Sequence, residues 1–320
     1  MTSGLCSRLR ELLGPGWRLV EQQRLKRNVH RLRFSASGRE RSFVIKRCTQ
    51  EIAQRNELVA HRWLPAVGLH DHGPALLALA PDPETGRVWQ IQADLGRHEL
   101  EATLPVRDHV EATVRVLAEL HGRFVDHPLL PECRRRAGDL GMPFYVSSVS
   151  DGIAALRGLR DANARITRAR DRLLDRLLRL SEQEPDRARA LDTLGGPETV
   201  LHGDLWTTNV VLAAGGVRLI DWDHVGVGPI PYDLSTFLAR FPRRHRRWIL
   251  EAYRREAART GGWRLPSDAE LNAVFETAEY ARLSCLVRWG AEAVRSGQAG
   301  WGIDQLESIA SWFEAYEPVL

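Results

Sequence analysis

The stretch VLHGDLWTTNVVLAAGGVRLIDWD, residues 200–223, contains three oxygen-bearing side chains whose types and spacing could do chemistry. Asp204 follows a His-Gly pair, Asn209 comes five residues later, and Asp221 comes twelve residues after that. Asn and Asp favour turns because they hydrogen-bond to nearby backbone, and this would explain any one of them alone. All three at this spacing, with His-Gly in front, favour a binding site for a divalent cation.

The segment between these residues predicts a β-hairpin, with NVVL and VRLI as strands and AAGG as the turn. In the simplest register Asn209 faces Ile220, so Asn209 and Asp221 meet at the open end of the hairpin. Mg²⁺ takes hard oxygen ligands and usually combines one or two carboxylates with substrate phosphates. Asn209 and Asp221 are therefore the predicted Mg²⁺ ligands, and Asp204 is left to orient a substrate hydroxyl and accept its proton.

HGDLWTTN and LIDWD together resemble the catalytic segment of the aminoglycoside phosphotransferase and choline kinase group, which shares the protein-kinase-like fold. The resemblance implies that Asp204 is the catalytic base and that His202 braces its loop. It also implies that Asn209 and Asp221 hold Mg²⁺.

Three further residues belong to this region or resemble the same group. Asp223 ends the LIDWD motif and is a candidate substrate contact. Within GPIPYDLSTFL, Asp233 resembles the structural acid that opens the next helix. VLAELHGRF resembles the helix that follows the interlobe linker, and its His121 is interpreted as a core or bracing histidine rather than a ligand.

The first half of the chain supplies a candidate phosphate-binding lysine. Lysine occurs only at Lys26 and Lys46 in this arginine-rich chain, and Lys46 ends the strand-like run FVIK. A compact ammonium and a planar guanidinium are not interchangeable at a crowded phosphate site. The resemblance implies that Lys46 orients the nucleotide phosphates and pairs with a helix glutamate, Glu57, with Glu51 as the alternative.

The remaining nucleotide contacts are expected on either side of that lysine. QADLG resembles the linker between lobes, where backbone groups of Gln92 and Asp94 would meet the adenine ring. The turn that covers the phosphates in kinases is glycine-rich, whereas here RLKRNVHRLRF contains no glycine. Lys26 or Arg27 is therefore expected to reach the phosphates with its side chain.

The C-terminal segment FETAEYARLSCLVRWGAEAV mixes acids with aromatic residues. In the resembled group the helical lobe builds the substrate pocket, and acids with aromatic faces would suit a cationic substrate. The alternative is a core helix with an exposed charged face. The candidate substrate residues here are Glu276, Glu279, Tyr280 and Trp289.

The hydrophobic pattern predicts an α+β chain. Five short strands and one helix, which is expected to end before Pro65, fill residues 17–96. A helix over residues 4–14 precedes them, and helical patterns dominate afterwards apart from the hairpin, although residues 127–150 are expected to be irregular. With the resemblance, this predicts a bilobal protein-kinase-like fold: an antiparallel nucleotide-binding lobe over residues 1–95 and a mainly helical catalytic lobe over residues 96–320.

Composition excludes several classes of protein. The 320 residues carry 45 basic and 41 acidic side chains, too balanced to imply a nucleic-acid or lipid partner. The arginine run near residue 245 is interpreted as a solvated helix face. Four scattered cysteines indicate neither a zinc site nor a disulfide framework, and no apolar run is long enough to span a membrane. The N-terminus lacks the apolar core of a signal peptide, so we expect a cytoplasmic protein.

These observations predict an ATP- and Mg²⁺-dependent phosphotransferase that acts on a hydroxyl of a small molecule, for which the C-terminal acids and aromatic residues favour a cation. The acceptor is either an aminoglycoside-like antibiotic or a metabolite such as an amino alcohol, homoserine or a sugar. A rival hypothesis from another class is a nucleotide-binding pseudokinase with a scaffold role, which the glycine-free turn motivates.

Overall fold

The computed structural model describes residues 3–96, 98–159, 164–260 and 263–320. Two compact units form, and both are discontinuous in sequence. The first unit comprises Met1–Glu101, Pro105–Val116 and Thr207–Val225, and the second comprises Ala102–Leu104, Leu117–Trp206 and Gly226–Leu320. The boundary at residue 95 stays a prediction.

The first unit is built on a five-stranded antiparallel sheet of order β1-β2-β3-β5-β4. The strands are β1 (Arg18–Lys26), β2 (Val29–Ala36), β3 (Arg39–Cys48), β4 (Leu76–Asp82) and β5 (Arg87–Ala93). The predicted five strands are confirmed. Together with the mainly helical part that follows, they also confirm the predicted fold class.

Period-two alternation gives this sheet its buried face. Successive side chains of a strand point to opposite faces of the sheet. Leu32 on β2, Ile45 on β3 and the residues two positions away from them therefore lie on the same buried face. Helix α1 (Ser3–Leu13) covers that face with Leu5 and Leu9, both buried. Each buried leucine or isoleucine contributes about 1.5–3 kcal/mol relative to exposure.

A single helical stretch connects β3 to β4, but it is not regular. Helix α2 (Gln50–Leu58) begins at an N-cap, Thr49, whose hydroxyl accepts a hydrogen bond from Ile52 N at 3.3 Å. It continues through a π-helical turn (Val59–Trp63) into α3 (Leu64–Ala66). The prediction that this helix ends before Pro65 was wrong. Pro65 is the second residue after the π-helical turn, and the stretch ends one residue later, at Ala66.

The predicted hairpin is formed by β7 (Val210–Ala213) and β8 (Gly216–Leu219), which belong to the first unit. Its register is confirmed: Val210 lies opposite Leu219, and Ile220 N donates to Asn209 O at 2.9 Å. Gly216 has a φ of +113°, a value that few other residues adopt.

The second unit is mainly helical and contains one short two-stranded ladder. Its core joins side chains of α6, α7, α11 and α12. The elements are α5 (Leu130–Ala137), α6 (Met142–Arg157), α7 (Ala164–Glu182), α8 (Glu184–Leu194), β6 (Glu198–Leu201), β9 (Gly226–Pro229), α9 (Pro231–Ala239), α10 (Arg243–Thr260), α11 (Asp268–Arg295) and α12 (Ala299–Glu314). Helix α4 (Arg107–Phe124) contributes residues to both units.

The expectation that residues 127–150 are irregular was wrong, because α5 and most of α6 occupy them. Pro131 and Pro143 each lie in the first turn of a helix, where proline is well tolerated. Gly138 ends α5 and Gly141 precedes α6. The prolines and glycines therefore mark helix ends rather than a loop.

In the described parts of the chain, every helix is too short or too polar to cross a membrane.

Candidate active site

A cavity of about 700 Å³ lies within the first unit. Its walls come from β1, β2, β3 and β5, from α2 and from the hairpin. The sequence-predicted residues that line it are Lys26, Lys46, Gln92, Asn209 and Asp221. One cavity therefore joins the candidate phosphate lysine, both candidate Mg²⁺ ligands and one candidate adenine contact.

Lys46 forms ion pairs with two carboxylates. Its Nζ donates to Asp221 Oδ1, and to Asp223 Oδ2 at 2.7 Å. Burial disfavours the charged amine, but Asp221 and Asp223 outweigh burial and raise the pKa of Lys46 above 10.5. The ammonium is therefore fully charged at neutral pH.

Asp223, a candidate substrate contact, is instead fixed by helix α2. Asn56 Nδ2 donates to Asp223 Oδ1 at 3.0 Å, and Arg55 Nη1 donates to Asp223 O at 2.9 Å. Asn56 is almost fully buried. Both carboxylate oxygens of Asp223 thus have protein partners, one from Lys46 and one from Asn56.

The expected ion pair between Lys46 and a helix glutamate is absent from the described residues. Glu51 accepts from Arg55 Nη2 at 2.7 Å, and Glu57 lines a separate cavity together with residues of α1 and β4. The reason is the turn Val59–Trp63, where i→i+5 bonding inserts one extra residue. The resemblance selected Glu57, whereas in the helix with the extra residue Asn56, one position earlier, contacts Asp223.

The open end of the hairpin offers oxygen atoms to a cation. Asn209 is buried, Asp221 is partly exposed, and both line the cavity. Asp221 has a φ of +64°, an uncommon value for a residue with a side chain. Among the described residues, no three or more His, Cys, Asp or Glu side chains form a metal cluster. One amide and one carboxylate fit Mg²⁺ that also takes phosphate oxygens as ligands.

Asp94 does not reach the cavity as expected. Its backbone N–H donates to Ser42 O at 3.3 Å, and its side chain accepts from Ser42 Oγ at 2.6 Å and pairs with Arg31 at 2.6 Å. Burial raises the pKa of Asp94, but these partners outweigh burial and lower it. Asp94 therefore fixes the end of β5, while Gln92, two residues earlier, lines the cavity.

The glycine-free turn is a tight, two-residue connection between β1 and β2, formed by Arg27 and Asn28. Lys26 lines the cavity, and so do Arg24 and Arg31, which the sequence did not single out. The pairing of β1 with β2 shifts between Arg24 and Lys26, so a bulge re-aims this strand end. The sequence did contain a signal for Arg24 and Arg31, because both are basic residues on the two strands that flank the predicted phosphate-covering turn.

In the second unit, one buried carboxylate holds the loop that precedes Asp204. Asp233, in the first turn of α9, accepts from His202 N at 2.7 Å and from Gly203 N at 2.9 Å. Gly203 has a φ of +81°, which suits glycine at this position. His202 Nδ1 accepts from Asp204 N at 3.4 Å. The backbone before Asp204 is thus fixed from both sides.

His121 extends this network. Its Nε2 lies 3.4 Å from Asp233 Oδ2, and its Nδ1 lies 2.8 Å from the hydroxyl of Tyr253. Its backbone carbonyl accepts from Thr199 Oγ1 at 2.7 Å. His121 is completely buried and therefore positions Asp233 rather than a ligand.

The candidate acids and the candidate tyrosine of α11 are engaged with arginines. Glu276 pairs with Arg187 at 3.1 Å and accepts from the Tyr280 hydroxyl at 2.8 Å. The ring of Tyr280 lies under Arg187, whose guanidinium carbon is 4.8 Å from the ring centroid. Glu279 is buried and accepts from Arg282. Trp289 is partly exposed on the same helix. The two candidate acids of this helix are therefore already neutralised by cations of the protein.

Comparisons with solved structures identify the fold. The chain is similar to a choline kinase of Cryptosporidium parvum, with a TM-score of 0.59 and 11% identity over 98% of this chain and 96% of the other. It is also similar to an aminoglycoside phosphotransferase of Streptomyces rimosus solved with ADP and streptomycin (TM-score 0.53, 18% identity, 88% and 99% covered). A spectinomycin phosphotransferase solved with ADP and spectinomycin has a TM-score of 0.60 and 13% identity, over 98% of this chain and 95% of the other. At these identities the likeness shows a shared protein-kinase-like fold.

Curated relatives match a short segment. A thiamine kinase of Salmonella typhi is 40% identical over 53 residues, which are 17% of this chain and 19% of that protein. The chain thus matches about a fifth of the length of these relatives. A family model described as the phosphotransferase enzyme family matches residues 21–269. Since that match covers well over half of the sequence, the chain belongs to the phosphotransferase enzyme family.

Proposed function

We propose that this protein is a kinase that transfers the γ-phosphoryl group of ATP to a hydroxyl of a small molecule. The observation that carries the proposal is the first-unit cavity, where Lys26, Lys46, Asn209 and Asp221 come together. Two cations for phosphate oxygens and two oxygen ligands for Mg²⁺ are the groups that phosphoryl transfer needs.

Each residue has a defined part in the proposed reaction. Lys46 orients the α- and β-phosphates, and Asp223 with Asn56 holds the lysine in place. Asn209 and Asp221 would hold Mg²⁺, which when bound would supply positive charge to offset the charge developing on the phosphate oxygens. Asp204 aligns the acceptor hydroxyl and accepts its proton.

The transfer forms a bond between the acceptor oxygen and the γ-phosphorus. It breaks the bond between the γ-phosphorus and the oxygen that bridges it to the β-phosphate, and ADP leaves with that oxygen. The hydroxyl proton passes to Asp204. The protein acts mainly by positioning and electrostatics.

The test is acceptor-dependent release of ADP from ATP and Mg²⁺ across a panel of hydroxyl compounds. We expect Asp204→Ala to lower turnover by about 10²-fold or more, since general-base catalysis contributes on that order. Asp192→Ala is the matched control, because Asp192 is an exposed acid of α8. Equal turnover in wild type and Asp204→Ala would contradict the assigned role.

A nucleotide-binding protein without transfer activity is the second candidate, and the glycine-free turn between β1 and β2 favours it. Nucleotide binding with no phosphoryl transfer to any acceptor, in wild type and Asp204→Ala alike, would select this alternative.

A further inference from the structure

A stacked pair of side chains lies beside the segment that contains Asp204. Trp206 follows two residues after Asp204 and is 40% exposed. The guanidinium carbon of Arg240, the residue directly after α9, lies 4.0 Å from the centroid of the Trp206 ring. Helix α9 is therefore tied to this segment at both ends: by Asp233 to the backbone before Asp204, and by Arg240 to the tryptophan after it.

The positive charge of Arg240 has no acidic partner in the described parts of the chain. Its Nε donates to a backbone carbonyl, Thr236 O, at 3.3 Å, and its two terminal nitrogens donate to no described group. Burial and then Arg282 lower the pKa of Arg240 to about 10, against the opposing effects of Glu279 and Asp204. A half-buried cation with unused donors is stabilised by an anion that binds beside it.

The acids near Arg240 do not neutralise it by direct contact. Glu279 Oε1 accepts from Ser235 Oγ at 3.0 Å, and its Oε2 accepts from Arg282. Glu279 is thus the partner of Arg282. Asp204 interacts electrostatically with both arginines but forms no ion pair with Arg240 among the described contacts.

We propose that Arg240, held over the ring of Trp206, binds an acidic group of the acceptor, so that this enzyme phosphorylates a hydroxyl of an anionic small molecule. The acidic group is a carboxylate or a phosphate, both of which match the planar fork of a guanidinium. The cation–π contact with the indole holds the guanidinium in place. The exposed part of the Trp206 ring offers an apolar surface to the rest of the acceptor. The inference rests on the proposed function and replaces the sequence-based expectation of a cationic acceptor.

The kinetic test compares acceptors that share a hydroxyl but differ in charge. Glycerol, glycerate, glycerol 3-phosphate and choline are offered at equal concentrations, and ADP release gives kcat/KM for each. We expect an anionic acceptor to exceed glycerol and choline by at least about tenfold, because a site built for a polar group rejects analogues that lack it. The better of the two anions identifies the acidic group.

Variants of Arg240 separate binding from folding. Arg240→Gln should lower kcat/KM for the preferred anion by about tenfold or more, mainly through KM, and Arg240→Lys should lose less. The matched control is Arg243→Gln, because Arg243 is exposed at the start of α10. Preference for choline or glycerol, or an anion preference unchanged in Arg240→Gln, would overturn the proposal.

A binding test needs no turnover. In wild-type protein, the Nε–Hε resonance of Arg240, assigned by its loss in Arg240→Lys, is followed while acetate or methyl phosphate is added. We expect a saturable shift with at least one anion and none with methylammonium. No saturable shift with either anion would overturn the proposal even if phosphoryl transfer occurs, whereas anion binding without any ADP release would count against the proposed kinase activity alone.

Discussion

The ion pairs and the pKa of Lys46 depend on partners that are distant in sequence. Its two carboxylates lie 175 and 177 residues away along the chain. Since the pKa of Lys46 is raised above 10.5, the ion pairs stabilise the fold fully below that pH and are lost as pH rises through the folded-state pKa. The sequence predicted that a helix glutamate would supply a carboxylate to Lys46, but Asp223 supplies it instead.

Exchanging the carboxylate of Asp223 with the amide of Asn56 tests whether these two positions interact. Asn56→Glu places a second carboxylate beside Asp223 and should lower the free energy of unfolding by about 2 kcal/mol or more. The double variant Asn56→Glu/Asp223→Asn should recover most of the loss, because the helix then supplies the carboxylate and the loop supplies the amide. Urea unfolding measures both.

The matched control for that swap is Gln54→Glu, an exposed position on the same helix. It should change stability by less than about 0.5 kcal/mol. Additive losses in the double variant would show that the helix position and the loop carboxylate do not interact.

Asp94 makes a pH-dependent prediction. Asp94→Asn removes the charge that Arg31 and Ser42 bind and should cost about 1–2 kcal/mol at pH 7. Because the folded-state pKa of Asp94 is depressed, its contribution is present above the unfolded pKa of about 3.9 and is lost as pH falls through the folded value. The difference between wild type and variant in urea unfolding should therefore shrink below about pH 4.

Glu84→Gln, at an exposed acid in the turn between β4 and β5, is the control for this measurement. A loss in Asp94→Asn that persists unchanged at low pH would mean that shape rather than charge fixes the end of β5.

At the scale of elements, the π-helical turn decides which side chain of α2 reaches the site. One residue of Val59–Trp63 is in excess over a regular helix, and Asn56 lies upstream of it. Hydrophobic periodicity reports that a helix exists, but it does not report a single i→i+5 turn.

Deleting Ala60 should therefore convert the turn into regular helix while Asn56 and the buried Trp63 keep their places. We expect the free energy of unfolding to stay within about 1 kcal/mol of wild type, and the stability coupling between Asn56 and Asp223 to survive. Double-variant cycles in the deletion background measure that coupling.

Inserting an alanine after Ala60 is the opposite change and serves as the control. The extra residue rotates the upstream part of the helix by about 100° relative to the downstream part. Asn56 should then separate from Asp223, and the stability coupling between them should be lost. A deletion as damaging as the insertion would refute this account of the turn.

At the scale of the whole molecule, the cavity of the first unit predicts that nucleotide and metal stabilise the fold together. ATP with Mg²⁺ at about 100 times its Kd should add about 2.7 kcal/mol and raise the melting temperature. Chelation of Mg²⁺ by EDTA should remove much of that increase, because Asn209 and Asp221 would hold the metal only with the phosphates. Thermal unfolding with and without EDTA measures the effect.

Asp221→Asn should lose most of the Mg²⁺-dependent part of the stabilisation, whereas Glu84→Gln should keep it. An increase in melting temperature that is the same with EDTA, or the same in Asp221→Asn, would show that the metal site lies elsewhere.

Local sequence patterns determined the sheet, the hairpin register and the motif that led to the family. Strand alternation and turn chemistry act over a few residues, so they can be read directly from the chain. Position along the hairpin placed Asn209 and Asp221 at one open end, and the tertiary structure kept them there. The helix starts at Pro131 and Pro143 were misread because proline marks both loops and helix starts.

Tertiary structure alone decided which charges meet. Asp223 rather than Glu57 holds Lys46, Asp94 fixes a strand end instead of lining the cavity, and the candidate acids of α11 are neutralised by arginines. These outcomes depend on contacts between residues far apart in sequence and on burial, which changes the energy of every charge. The sequence by itself determined which groups are available for the proposed phosphoryl transfer, and packing decided which of them remain available to a ligand.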